Sequence, residues 1–122
     1  MNIDKLNECI ELLKKQMGSS LLATSIVSTS DAQAIADYNS KPGADAIFIE
    51  VTNLINDSLK KGYPQLGKYY LLELQEDSML IVIPLGEYQW IIAVDTTKAK
   101  LGLIMNVVLP DAISAFENAL SG

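Results

Sequence analysis

The chain of 122 residues contains neither histidine nor arginine. The first absence removes the commonest general base and metal ligand near neutral pH. The second removes the bidentate guanidinium clamp for phosphate and any arginine finger. Nine lysines face fifteen carboxylates, for a formal net charge of −6 and a pI near 4.4. Such a chain lacks the basic footprint that nucleic acid or an anionic membrane surface requires. One cysteine, Cys9, cannot close an intrachain disulfide, which fits a reducing compartment. No apolar run approaches the roughly 18 residues of a membrane span. The N-terminal stretch MNIDKLNECIELL carries Asp4, Glu8 and Glu11 and is not read as a signal peptide. What remains, 49% hydrophobic and 20% charged residues, suits one globular domain over residues 1–122. The expectation is a cytoplasmic protein with no membrane insertion, no nucleic-acid partner, no metal and no cofactor.

Periodicity divides the chain into eight elements. Ile3, Leu6, Ile10, Leu13 and Met17 mark one face of a first helix, capped by Asn2 and ended by Gly18, with Glu11 and Lys15 four apart on its outer side. Strands are expected over Ser19–Ser28 and Ala34–Tyr38, with Thr29–Gln33 turning between them. A second helix is expected from near Pro42 to Gly62. Its core stripe reads Ala44, Ile47, Phe48, Val51, Leu54, Ile55 and Leu59, and its small, weakly polar back face reads Ala46, Ile49, Asn53 and Asn56. Three strands, Lys68–Leu74, Met79–Leu85 and Tyr88–Val94, are joined by connections of hairpin length. The second of these runs is apolar on both faces, as a covered strand requires, with Pro84 at its end. A last helix, Ala99–Leu120, buries Leu101, Ile104, Met105, Val108, Ala112, Ala115, Phe116 and Ala119; the stripe keeps phase across Pro110, which predicts one helix kinked at the proline.

Few motifs carry chemistry. Gly62–Tyr69, GYPQLGKY, fits the phosphate-loop spacing except for its last position, where tyrosine replaces the magnesium-binding hydroxyl residue. The segment also runs from helix to strand, the reverse of a phosphate loop, and Pro64 removes an amide from the cradle. Cys9 has no imidazole to activate it and reads as a structural thiol. Glu76-Asp77 is an adjacent carboxylate pair in a hairpin turn, where solvation accounts for it. Asn56–Ser58 matches a glycosylation acceptor but falls on a helix. Tyr69, Tyr70, Tyr88 and Trp90 read as strand packing rather than a stacking platform. No nucleophile–base pair is present, so no catalytic residue is assigned and the chain is not expected to be an enzyme.

The stretch Trp90–Ile104, WIIAVDTTKAKLGLI, is more telling. A core strand ends at Asp95, and one polar turn leads into a covering helix. Asp95, Thr96 or Thr97 is positioned to cap that helix, and Gly102 permits its close approach. Taken with the strands before it, MLIVIPL, YQWIIAVD and AKLGLIMNVV, this stretch resembles the Roadblock/LC7 family, over nearly the whole chain. Where that family carries Asp-Gly in its first hairpin, this chain has Asp31-Ala32.

The resemblance implies an α+β sandwich of order α-β-β-α-β-β-β-α, with a five-stranded antiparallel sheet of profilin-like type. The second helix would lie on one face of the sheet and the first and last helices on the other. It also implies a homodimer, or a heterodimer with a paralogue, in which second helices pack antiparallel and third strands pair, drawing in Tyr69 and Leu71. Members of the family are non-catalytic regulators or scaffolds of small Ras-like GTPases. Some promote GTP hydrolysis as GTPase-activating proteins, and others are dynein light chains or lysosomal scaffold subunits. Two features read from the residues agree with dimerisation. The back face Ala46, Ile49, Asn53 and Asn56 suits a helix–helix contact, with Ile49 near the two-fold axis, and an unpaired KYYLLEL edge would be an aggregation hazard. The alternative is a small-ligand sensor domain of profilin-like or PAS-like type, with its ligand against the sheet near Trp90.

Overall fold

The computed structural model describes residues 2–41 and 43–121. Pro42, where the sequence reading starts the second helix, lies outside them. Helix α1, Ile3–Met17, buries Leu6, Cys9, Ile10, Leu13 and Met17: the expected stripe with Cys9 added and without Ile3, which is exposed at the helix start. The Asn2 side chain accepts the Lys5 backbone N–H at 3.2 Å, and Gly18 ends the helix at φ 55°. Glu11 pairs with Lys14, at 3.5 Å, rather than with Lys15.

A 3-10 turn, Gly18–Ser20, replaces the start of the expected first strand. Strands β1 (Leu21–Ser28) and β2 (Ala34–Tyr38) then form an antiparallel pair. In the turn between them Ala32 sits at φ 58°, the left-handed region, where its Cβ is strained and glycine is not. Ala32→Gly is therefore expected to stabilise the fold by about 0.5–1 kcal/mol, the relief of strain outweighing the added freedom of the unfolded chain. Urea unfolding of both proteins would show it, and a midpoint unchanged or lowered would contradict it.

Strands β3 (Tyr70–Leu74), β4 (Ser78–Leu85) and β5 (Tyr88–Asp95) complete a five-stranded sheet of order β2-β1-β5-β4-β3, antiparallel throughout. Strand β4 is buried on both faces, and Pro84 lies past Val82, the last residue paired with β3. Glu76 and Asp77, in the β3–β4 turn, both adopt positive φ.

The C-terminal helical run, Leu101–Ser121, is continuous, but it is not regular. Residues Ile104–Val108 form a π turn, and the Leu109 N–H reaches back to the Ile104 carbonyl. Pro110 follows at once, so the wider turn accommodates the proline's missing N–H where the sequence led us to expect a kink. The extra residue in the turn also rotates Leu109 inward, a position the regular spacing left out. This run is the one helix among the described residues long and apolar enough to cross a membrane. Its apolar side, however, joins α1 and the sheet in the main core.

That main core fills one face of the sheet. Trp90 and Phe116 are both fully buried and meet edge to face, ring centroids 5.6 Å apart. The indole N–H donates to the Thr24 hydroxyl at 2.7 Å, and that hydroxyl donates to the Ile91 carbonyl at 2.8 Å, so no polar atom of this cluster is stranded. Helix α2, Ala44–Leu59, covers the other face, over a far smaller apolar cluster of Val27, Leu80 and Ile91.

Candidate functional site

The orientation of α2 decides which surface the protein offers. Hydrophobic periodicity placed Ala44, Ile47, Phe48, Val51, Leu54, Ile55 and Leu59 against the sheet. The structure turns the helix differently. Asp45 and Thr52 are its buried residues, and Phe48 and Ile49 pack onto the small cluster of Val27, Leu80 and Ile91. Two polar anchors set this phase. The Ser25 hydroxyl donates to the Asp45 carboxylate at 2.6 Å, and the hydroxyls of Thr52 and Tyr70 lie 2.7 Å apart. Asp45 and Thr52 stand seven residues apart and so share one helix face. Leaving such buried groups unpaired would cost about 1–3 kcal/mol each, enough to outweigh the stripe's preference for the sheet.

The consequence is an apolar stripe turned outward. Ile47 is 56% exposed and Leu54 is 67% exposed, with the half-buried Val51 between them at helical spacing. Ile49, expected on the outer face, is instead partly buried against the sheet. Of the other back-face residues, Ala46 and Asn53 are exposed, while Asn56 is half-buried and accepts the Leu66 N–H at 3.3 Å, closing the turn after the helix.

Tyr69 and Leu71 are half-buried and pack against the main core. Strand β3 is at the sheet's edge, so one side of its backbone is unpaired among the described residues. The Thr52–Tyr70 bond holds this edge beside α2. Burial pushes the Tyr70 hydroxyl above its ordinary pKa, and the bond to Thr52 offsets part of that rise. The Thr52–Tyr70 bond thus lies on the inner side of α2, while Ile47 and Leu54 stand on the opposite side of the helix and face away from the sheet.

Between the N-terminal half of α2 and the sheet lies a groove of about 470 Å³. Its floor is shallow in side chains because Ala23 and Ala93 face each other across β1 and β5. Phe48 forms one wall, and Leu22 and Leu74 stand half-exposed at its rim. Nothing in the periodicity signalled this groove. The available signal was Asp45 and Thr52, two polar residues seven apart on an otherwise apolar helix.

The remaining sites carry no chemistry. Trp90 is wholly enclosed, so its ring offers no open face on which a ligand could stack. Burial pushes the Cys9 thiol up to about 11, aided by the neighbouring Glu8 charge, so the nucleophilic thiolate is scarce at neutral pH. Asp95 caps a turn rather than the last helix. Its exposed carboxylate accepts the Thr97 hydroxyl at 2.6 Å and the Thr97 N–H at 2.9 Å, and these bonds hold its pKa below the usual carboxylate value. The helix itself begins after Lys100 with no side-chain cap. Among the described residues no group of three Cys, Asp or Glu side chains is placed to hold a metal ion.

No family model matches the sequence, and no curated protein matches it either. Solved structures do match in three dimensions. Myxococcus xanthus MglB superposes with a TM-score of 0.79 at 13% identity, over 98% of this chain and 90% of that one. A Roadblock/LC7 domain from Streptomyces avermitilis superposes with a TM-score of 0.64 at 9% identity, over 92% and 97% of the two chains. Acanthamoeba castellanii profilin IA gives a TM-score of 0.53 at 13% identity, over 84% and 91%. At such identities the likeness establishes the fold, which is Roadblock/LC7-like with profilin-like neighbours.

Proposed function

We propose that this chain is a non-catalytic, self-associating regulator or scaffold that binds a small Ras-like GTPase in the cytoplasm. The observations that carry the reading are the outward stripe of α2, Ile47 and Leu54, and the open edge of β3, on a Roadblock/LC7-like fold. Exposed apolar side chains and an unpaired strand edge are both features that water solvates poorly and a protein partner covers well. A second copy of the chain, or a paralogue, is the first occupant of that surface, and the GTPase binds the assembly. The absence of arginine shapes the mechanism. Any stimulation of GTP hydrolysis works by ordering the GTPase's own catalytic residues, because this chain has no guanidinium to insert.

The test is GTP turnover by Ras-like GTPases from the same organism, with and without the protein, alongside sedimentation of the mixture. A co-sedimenting GTPase whose turnover rises, and keeps rising when each lysine of this chain is replaced in turn, supports the reading. Failure of every such GTPase to co-sediment overturns it. Stimulation abolished by one lysine substitution overturns the mechanism.

A further inference from the structure

We infer that the groove beneath the N-terminal half of α2 receives a basic side chain, lysine or arginine, from a partner protein. The inference rests on the reading of this chain as a partner-binding module, and it names the chemistry of the contact. Asp45 lines the groove and is 9% exposed. A carboxylate so enclosed normally has a cation beside it. Here it accepts a hydrogen bond from Ser25, and the ion pairs among the described residues involve other carboxylates: Glu11, Asp57 and Glu117. Lys41 also lines the groove, yet it stands outside ion-pair distance of Asp45.

The groove is shaped for the rest of such a side chain. The facing alanines Ala23 and Ala93 leave a hollow where larger residues would have filled the space. An aliphatic stem lies in that hollow against Phe48 and Leu80 while its charged end reaches Asp45, the division of labour that long basic side chains follow elsewhere. Leu22, 45% exposed, and Leu74, 43% exposed, stand at the rim. A free amine would leave them wet, whereas a polypeptide covers them. The arrangement, a buried charge contact with Leu22, Phe48 and Leu74 beside it and Asn39, Ser40 and Lys41 also along the lining, resembles an interface anchor. The protein's net charge of −6 favours the approach of a basic segment.

The test titrates the isotope-labelled full chain with three acetylated tripeptide amides, Leu-Arg-Leu, Leu-citrulline-Leu and Leu-Glu-Leu, following backbone amide shifts. The arginine peptide is expected to shift Ala23, Ser25, Asp45 and Ala93 saturably, and the neutral and acidic peptides are expected to bind at least about tenfold more weakly. Asp45→Asn, which keeps an acceptor for Ser25, should weaken the arginine peptide about tenfold, and Ala93→Leu should fill the hollow and block it. Should either variant fail to fold, the three peptides on the unaltered protein decide. Equal binding of the citrulline peptide overturns the inference, as does the absence of saturable shifts at those residues. Shifts at the same residues on simple dilution of the protein also overturn it, by showing a second copy in the groove. None of these outcomes depends on a GTPase, so they separate from the test of the wider reading.

Discussion

Ile47→Asp with Leu54→Asp yields a folded monomer. The two side chains stand on the outer face of α2, 56% and 67% exposed in the isolated chain, so neither contributes much to the core. In an assembly that covers α2 each of them is buried, at roughly 1.5–3 kcal/mol apiece. Replacing them sets aspartates, repeated in each copy, within an apolar contact. The dimer dissociation constant is expected to rise by about a thousandfold or more, the equivalent of some 4 kcal/mol. Sedimentation velocity at matched concentrations reads the change directly, and circular dichroism confirms that the fold persists. A wild-type protein that is already monomeric sinks the placement, and so does a double variant that sediments like the wild type. Ile49→Asp is the informative contrast. Because Ile49 packs on Val27, Leu80 and Ile91, the substitution puts a charge against the sheet and is expected to lower stability by roughly 2–4 kcal/mol.

Phe116→Ala is expected to be among the most damaging single truncations in the main core. The ring is fully buried and meets Trp90 edge to face at 5.6 Å. Phe→Ala changes at such sites cost about 3–5 kcal/mol, because the transfer energy of the ring and the cavity it leaves add together. For a domain of this size that corresponds to a fall in melting temperature of about 10–20 °C. Trp90 lies against the vacated space, so its fluorescence should follow the change in packing as well as the unfolding. A melting temperature within about 3 °C of wild type would show that α1 and the C-terminal helix close over the gap, and would contradict this expectation.

Most of the architecture was readable from spacing. The stripe Leu6, Ile10, Leu13, Met17 and the run of three hairpin-linked strands gave their elements directly, because the helix buries one apolar face and the strands are apolar runs divided by short polar turns. Two places escaped that logic. The phase of α2 follows hydrogen bonds that Asp45 and Thr52 share with residues distant in sequence, Asp45 accepting from Ser25 and Thr52 pairing with Tyr70, and no local pattern announces such partners. The π turn before Pro110 is likewise a response of the backbone to one missing donor, and the side chains around it keep an almost regular order. The candidate surface suffered most from the first of these. Its outer stripe was assigned to the core, and Ile49, which packs partly buried against the sheet, was assigned to the outer face.

The unequal filling of the two faces of the sheet bears on how such a protein can change over generations. Trp90, Phe116 and the residues of α1 hold the chain together from one side, while Ile47 and Leu54 face away from everything that does so. A lineage can therefore exchange the outward residues of α2, and with them its partners, at little risk to the stability that every variant must retain. Duplicated copies of such a gene could diverge into matched pairs by that route, with affinity and foldability under the control of separate residues.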